Sequence, residues 1–477
     1  MKSIYLSIVV FFIACLSGIS QNKELLYNFN EVPQSLLLNP GTSTSFKWYA
    51  GVPVLSGVSF QAGVTGITSN DLFAVDGVDF NTKFLDKVVY GMDSKDELSG
   101  TYQIEILNVG FRGRKNPNNF YSFGIYNEGD AIGYYFEDYA LLAFEGNTNN
   151  IDKRFDLSDL KTRGEVVNVY HFGINKKVSR QLDLGFRAKV YSSILNFSST
   201  DNSGYFVTTE GDENLLQATL VADLKINTSG IFELKDAIDN DESIADIITK
   251  RALFGGDLGL GFDLGFTYKL DRQTYITGSI LDIGFISHTN DLRTYSLKGK
   301  ATSEGINVIL PDDLGSGSDE WRELVDDLES LVPYEETEER YVTFRPTKLY
   351  ASIGHDFGDE IEPRQDCNCT TKPGGGYVDN IYKNSVGGQL YVINRPRGPQ
   401  AALTGFYQHR FGNIMSLKAT YTVDKYSFAN VGLGGSLQAG PVNMYLMADN
   451  LFGYSNLANT NYASVLFGLN IISWGKK

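Results

Sequence analysis

The sequence predicts an all-β fold: a transmembrane antiparallel barrel of about fourteen strands, within a range of roughly twelve to sixteen, with an N-terminal plug and a few short helical insertions. Three observations lead there. Apolar and polar residues alternate without error over stretches of about ten to fourteen residues, longer than the five or six typical of a soluble sandwich. The second face of these stretches carries charges and glycines. The composition pairs 49 Gly with 28 Tyr and 30 Phe against five Met and three Cys, which is strand and turn material.

The clearest stretch is DLGLGFDLGFTYKL, in which Leu258, Leu260, Phe262, Leu264, Phe266, Tyr268 and Leu270 face one way and Asp257, Gly259, Gly261, Asp263, Gly265, Thr267 and Lys269 the other. QLDLGFRAKVY repeats it, with Leu184, Phe186 and Ala188 opposed to Asp183, Gly185, Arg187 and Lys189. MSLKATYTVD does so again, setting Leu417, Ala419 and Tyr421 against Ser416, Lys418 and Thr420. Side chains of a strand alternate between its faces, so each face meets its own environment. A strand tilted by about 45° crosses a bilayer in roughly nine to eleven residues. In lipid every backbone group must be paired, so such a sheet closes on itself. The polar residues Asp183, Arg187, Lys189, Asp263 and Lys269 are then expected in the lumen, where they pair with one another or with the plug.

Taken in order, the chain opens with MKSIYLSIVVFFIACLSGIS, in which Lys2 precedes an apolar core from Ile4 to Leu16. Residues 1–20 read as a signal peptide cleaved near Ser20/Gln21, which implies export to a Gram-negative outer membrane. The run is too short for an anchor helix, and Phe12-Ile13-Ala14 is a poor approach to lipidation at Cys15. Residues 21–45 mix apolar residues with Pro33, Asn39, Pro40 and Gly41 and have neither helical nor strand period. They read as an irregular, packed segment.

The barrel is expected over residues 46–477. About eighteen segments alternate, including 46–55, 57–67, 203–209, 216–226 and 290–298, so some are expected to be loop hairpins or plug elements. Tyr268, Tyr391 and Tyr426 stand near predicted strand ends, where aromatics form interfacial girdles. In the last strand Val465, Phe467, Leu469 and Ile471 face lipid, while Ser464, Leu466, Gly468, Asn470 and Ile472 face inward. Leu466 and Ile472 point to a filled or partly apolar interior rather than a wide aqueous channel.

Three insertions interrupt the alternation, near 79–92, 231–251 and 312–340. The first places Phe84, Leu85, Val88, Val89 and Met92 on one helical stripe, and the third does so with Trp321, Leu324, Val325, Leu328 and Leu331 behind Ser318 and Asp319. Each needs a cover for its apolar face, and short helices at a barrel mouth satisfy that need. The mature chain retains Cys367 and Cys369 in QDCNCTTKPGGGY. Their spacing is open to a disulfide, an exposed redox pair or a plain loop closure.

The formal net charge of −16 argues against nucleic acid as a partner. The four histidines are far apart, and neither an H-E-x-x-H pair, a G-x-S-x-G elbow nor a phosphate-binding loop is present. No catalytic residue, metal or cofactor is therefore expected, and the protein reads as a non-enzyme.

LYNFNEVPQSLLLNPG near the mature start resembles the Asn-Pro-Ala element of a family of uncharacterised exported barrels from Bacteroidota. VGLGGSLQAGPVNMYLMADNLFG, with its Asp-Asn pair, resembles that family's C-terminal region. Members are distantly similar to fatty-acid-transporter barrels and to accessory barrels of type IX secretion and gliding machinery. The resemblance implies that residues 21–45 enter the lumen as a plug or hatch, turning at Asn39, Pro40 and Gly41. Gly41 stands where the family usually has Ala, and Gly475-Lys476-Lys477 extends beyond the terminal Trp474. Two roles are implied: uptake or export of a hydrophobic small molecule, or a scaffold that docks a secretion, motility or surface-anchoring protein. Outer-membrane lipid surrounds the barrel in either case.

Overall fold

The computed structural model describes residues 23–211, 216–304, 334–361, 381–427 and 430–474. The first strands are β1 (Phe46–Gly51), β2 (Val58–Val64), β3 (Glu97–Arg112), β4 (Asn119–Tyr134), β5 (Arg154–Asp156), β6 (Thr162–Lys177) and β7 (Leu182–Ser199). There follow β8 (Ser203–Glu210), β9 (Leu216–Ser229), β10 (Asp257–Lys269), β11 (Thr274–His288), β12 (Leu292–Glu304), β13 (Tyr334–Thr337) and β14 (Tyr341–Phe344). The last are β15 (Lys348–Ile361), β16 (Ile381–Arg395), β17 (Gly398–Phe411), β18 (Met415–Val423), β19 (Asn430–Ala439), β20 (Val442–Asp449) and β21 (Tyr462–Trp474).

These strands close an antiparallel ring of fourteen positions. β1 and β2 share the first position, each pairing β21 on one side and β3 on the other. The ring continues through β4, β6, β7, β10, β11, β15, β16, β17, β18, β19 and β20 back to β21. Closure leaves no open edge among these strands, as a membrane-spanning sheet requires.

Burial follows the alternation. Leu260 is 58% exposed on the outer face, whereas Asp263, three residues on, is 0% exposed in the lumen. Phe186, Leu403 and Leu446 also point outward, and Arg187, Thr404 and Met447 point inward. In β21, Leu466 and Ile472 are buried while Phe467 and Ile471 face out. The interfacial role expected of two tyrosines is corrected. Tyr391 falls on the inward register of β16 and packs 4.7 Å from the Tyr350 ring. Tyr426 stacks on Tyr462 at 4.6 Å and donates to the Glu97 carboxylate at 2.5 Å. Tyr391 faces an apolar part of the lumen, and Tyr426 faces Glu97 inside the mouth. Tyr268 remains on the outer face.

Five strands stand outside the ring. β5, β8, β9, β12 and β13 form a rim sheet, joined to the barrel where Asn196–Ser198 of β7 pairs Asn227–Ser229 of β9. The alternating segments 203–209, 216–226 and 290–298 therefore build this sheet. Its own core holds Phe155, Leu157, Phe206 and Leu220, covered by Tyr139, Leu141 and Leu142 of the helix Glu137–Glu145.

The other insertions are short. Residues 79–92 hold an α-turn, Phe80–Phe84, continued by a π-turn, Leu85–Val89. Backbone N–H groups of Thr82 and Asn81 donate to Asp79, which holds its carboxyl below the usual carboxylate range. Residues 231–251 contain the helices Ile231–Asp239 and Ile244–Lys250. The helix expected from Ser318 to Leu331, the pair Cys367 and Cys369, and the leader 1–20 lie outside the described residues.

The connections fall at two ends. Those at residues 113–118, 178–181, 270–273, 412–414 and 440–441 lie at one end, with the C-terminal end of β21. Those at 65–96, 135–161 and 200–256, the last two carrying β5, β8 and β9 of the rim sheet, lie at the other, with the two-residue turn 396–397. Because the rim core is separate from the ring, Phe206→Ala is expected to destabilise the rim sheet locally by about 3–5 kcal/mol. Limited proteolysis should then nick residues 150–225 while the barrel band keeps its heat resistance on gels.

Candidate functional site

The lumen is occupied by the chain's own N-terminal segment. Residues 23–45 fold into two single turns, Lys23–Leu26 and Ser35–Leu38, linked by irregular backbone. Leu25, Tyr27, Phe29 and Val32 are each 0% exposed and pack against Leu281, Tyr350, Tyr445, Met447 and Leu466 of the wall. The Tyr27 and Tyr350 rings stack at 4.8 Å. Leu36 packs with Phe46, Tyr49, Phe120 and Ile472. The apolar inward residues of β21 thus face an apolar segment.

Irregular backbone inside a barrel has no ladder to satisfy it, and a buried carbonyl without a donor costs roughly 1–3 kcal/mol. Wall side chains supply the donors. Lys418 reaches the carbonyls of Tyr27 at 2.6 Å and Glu24 at 3.2 Å, and Gln389 also donates to Glu24. Ser279 donates to Leu38, and Asn175 donates to both Pro40 and Thr42. Arg187 donates through its two Nη atoms to the Leu36 and Leu37 carbonyls, at 2.8 and 2.5 Å.

Asn39-Pro40-Gly41 forms the turn that leaves the second helical turn. The Asn39 amide donates to the Phe266 carbonyl at 3.1 Å, and its oxygen accepts from the Gly41 N–H at 2.9 Å. Three glycines make room for this turn. A Cβ on Gly185 would sit 2.0 Å from the Pro40 carbonyl carbon, and one on Gly265 would sit 2.2 Å from Asn39 Oδ1. A Cβ on Gly41 would lie 2.4 Å from the Gly265 oxygen. This crowding accounts for glycine where the resembled family has alanine. Asp183 accepts from the Ser43 hydroxyl just beyond the turn. Lys269, at the end of β10, is half-buried and donates its backbone N–H to Gln181.

Above the segment, charges cross the lumen as a chain of alternating sign. Arg187 pairs Asp263 at 2.5 Å, and Asp263 pairs Lys189 at 3.0 Å. Lys189 and Lys348 share Asp282 at 2.5 and 2.9 Å. Lys348 and Arg345 then share Glu128, and Arg345 ends on Glu165 at 2.5 Å. These four cations and four carboxylates are all buried, and Arg163 also pairs Glu165 at 3.3 Å. Asp263, Arg187 and Lys189 were expected in the lumen from alternation. Asp282 was not, because it sits in a bulge: Phe262 pairs Ile283 while Leu264 pairs Ile280, so Leu281 and Asp282 both turn inward. Its positive φ of 59° was the available signal only in coordinates.

The wall itself has an irregular seam. Gly51 pairs Asn470 and Val58 pairs Phe467, so seven steps along β1–β2 (58 − 51) face three along β21 (470 − 467). The surplus forms an excursion, residues 52–57, in which Val54 adopts φ 65° and Val54 and Leu55 face outward. Ser56 and Gly57 fold inward over Gly468, where a Cβ would meet the Ser56 oxygen at 2.0 Å. On the β3 side the described ladder consists of Trp48–Ala50 against Val109–Phe111 and Val64 against Leu98. Between them the Glu105 N–H donates to the Gly57 carbonyl at 2.8 Å.

The Glu105 carboxylate gathers the neighbouring groups. It accepts from Asn108 at 2.8 Å, Ser56 at 3.0 Å and Gln34 at 3.1 Å. Gln34 also exchanges two hydrogen bonds of 2.9 Å with Asn470. One residue of the plug thereby ties β21, β3 and the excursion together. A cavity of about 20 Å³ lies behind the excursion, lined by Leu26, Leu37, Leu38, Gly57 and Leu466 among others. A second of about 20 Å³ is lined by Lys23, Glu128, Asp282 and Lys348. Each has room for about one water.

The family described as "Family of unknown function (DUF5723)" matches residues 40–449. The chain belongs to this family. No curated protein matches the sequence. Solved structures similar in fold include the Ralstonia pickettii toluene transporter TbuX, with 10% identity, coverage of 92% of this chain and 94% of that one, and a TM-score of 0.40. The CymD monoaromatic hydrocarbon channel is 11% identical over 97% and 99%, with a TM-score of 0.41. A Pseudomonas aeruginosa FadL homologue is 10% identical over 94% and 95%, also at 0.41.

The match begins at Pro40, within the turn, and ends at Asp449. Asn450 donates to Thr460 at 2.9 Å, which closes the β20–β21 connection, and Asp449 is buried on the lumenal face. Among the described residues, no group of His, Cys, Asp and Glu is arranged to hold a metal. His288 is fully buried, bonded to Asp257 at 3.0 Å and Thr343 at 2.9 Å, and so braces the mouth.

Two substitutions test the clamp on the segment. Arg187→Met leaves the Leu36 and Leu37 carbonyls without their donor and Asp263 with Lys189 as its remaining cation, and breaking such a buried pair costs about 3–5 kcal/mol. Gly185→Val leaves the charges intact and forces the turn out by contact. Both are expected to expose residues 23–45 to protease while the barrel stays folded, read by N-terminal cleavage and gel mobility.

Proposed function

We propose that this protein is an outer-membrane conduit for hydrophobic small molecules, closed by its N-terminal segment and opened sideways at the β1/β2–β3 seam. The observation that carries the reading is the excursion at residues 52–57. There the ladder is sparse, the cavity behind is lined by Leu26, Leu37, Leu38 and Leu466, and Gln34 of the plug is bonded to the seam's own groups. An apolar molecule entering this space would exchange leucine contacts for lipid without crossing water. Passage requires the segment to move, because the cavities are water-sized. On this reading the leader directs export, the long connections and rim sheet lie outside the cell, and the short turns lie in the periplasm, as is usual for such barrels.

The rim sheet supports a second reading, a scaffold that docks a secretion, gliding or surface-anchoring protein. Its terminal strand β13 pairs β12 on one side. A strand of four residues offers a short edge for augmentation.

The readings separate in one experiment. In protein with Cys367→Ser and Cys369→Ser, Gln34→Cys and Asn470→Cys are joined by a short cleavable bis-maleimide linker. Cells expressing it are given N-phenyl-1-naphthylamine, an apolar dye held back by an intact outer leaflet. The conduit predicts that linkage abolishes protein-dependent dye uptake and that cleaving the linker restores it. Uptake indifferent to the linker, together with a stoichiometric protein co-purifying in mild detergent, would instead establish the scaffold.

A further inference from the structure

The connection between β2 and β3 is built inside out. Phe73 is 70% exposed, Val75 105%, Val78 50% and Phe80 44%, whereas Lys83 in the same loop is 6% exposed. The lysine turns inward to the Ala74 carbonyl and pairs Asp76 at 2.6 Å. Asp76 also accepts from the Val78 N–H, and Thr68 and Asp71 form a reciprocal capping box around the turn Ser69–Phe73. These polar staples fix the backbone so that the apolar side chains are displayed together. A row of rings runs back from the tip: Phe73 to Phe80 at 5.8 Å, Phe80 to Phe84 at 6.1 Å and Phe84 to Phe144 of the rim helix at 5.6 Å. Contiguous apolar display on a structured loop marks a surface that is covered in use.

We infer that the tip formed by Phe73, Val75, Val78 and Phe80 is inserted in the lipid leaflet beside the barrel wall. The occupant follows from continuity with the lipid-facing surface. The loop leaves β2 four residues after Phe60 and re-enters at β3, whose second residue, Leu98, is 62% exposed on the outer face. The apolar surface of the wall therefore runs into the apolar surface of the loop. Rigid aromatic and β-branched groups at the end of a membrane strand sit at the depth where interfacial aromatics are favoured. The inference rests on the barrel lying in a membrane and is independent of what the barrel conducts.

The test uses full-length protein with Cys367→Ser and Cys369→Ser, a single Val75→Cys labelled with a nitrobenzoxadiazole dye, and vesicles of phosphatidylethanolamine and phosphatidylglycerol. Lipids with a nitroxide near the headgroup are then added. The dye at position 75 is expected to emit blue-shifted and to be quenched roughly threefold more than the same dye at Arg272→Cys in the short turn of the opposite end. Equal quenching at the two positions overturns the inference, including the case in which a second copy or another protein covers the loop and keeps lipid away. A third label at Leu260→Cys on the barrel wall separates the premises. Quenching there with none at 75 rejects the lipid tip alone, and no quenching at 260 rejects the membrane placement on which it rests.

Discussion

The interior of this barrel is organised by the demand that irregular backbone placed inside it be hydrogen-bonded, and Arg187 is where that demand is met most completely. Its guanidinium gives two donors to the carbonyls of Leu36 and Leu37 and a third to Asp263. The rigid fork of an arginine suits three acceptors fixed on two different elements. The β7–β10 register pairs Arg187 with Asp263 and, two residues on, Gly185 with Gly265. One ladder thus provides both the clamp on the second helical turn and the niche for Asn39-Pro40-Gly41. A slip of one residue would send all four positions to the lipid face.

On the proposed reading, the charge chain that starts at Arg187 bears on how the barrel would open. Opening along its axis would separate ion pairs on β4, β6, β7, β10, β11 and the start of β15, each leaving a buried charge behind. Breaking one such pair costs several kcal/mol, so the chain behaves as a strut. At the seam the groups to be separated are Gln34, Ser56 and Asn108 on the Glu105 carboxylate, together with the Glu105–Gly57 backbone bond and the three-residue β1–β3 ladder. On the proposed reading, sideways movement there separates hydrogen bonds and, among the described residues, none of the ion pairs of the charge chain.

The strands were legible in the sequence because lipid imposes a period-two pattern that nothing else overrides over ten or more residues. Asp183, Arg187, Lys189 and Asp263 could be assigned to the lumen on that basis, since they are charges between large apolar neighbours. The pattern fails where the inner environment is itself apolar. Tyr391 lies opposite the plug, and its ring satisfies either face. It fails again at bulges, which place Leu281 and Asp282 on one side and no local residue type announces them. Glu105 is similar, since the register shift between Glu105 and Leu107 hides its alignment with Gln34, 71 residues away in the chain. The rim hairpins alternate as barrel strands do because they cover their own small core.

The placement of the seam is also consistent with chain connectivity. Half of the neighbouring strands are pinned at one end by a short turn, such as residues 178–181 between β6 and β7 or 270–273 between β10 and β11. Separating those strands would stretch the turn at once. β2 and β3 are joined instead through residues 65–96, and β1 is preceded by the plug rather than by another strand. Loop closure entropy grows slowly with length, so a long connection adds little resistance when its ends move apart. The strand pair with the sparsest ladder is thus also one joined by a long connection and preceded by the plug. On the proposed reading, movement of Gln34 would release plug and seam at the same point, so that the two would act as one gate.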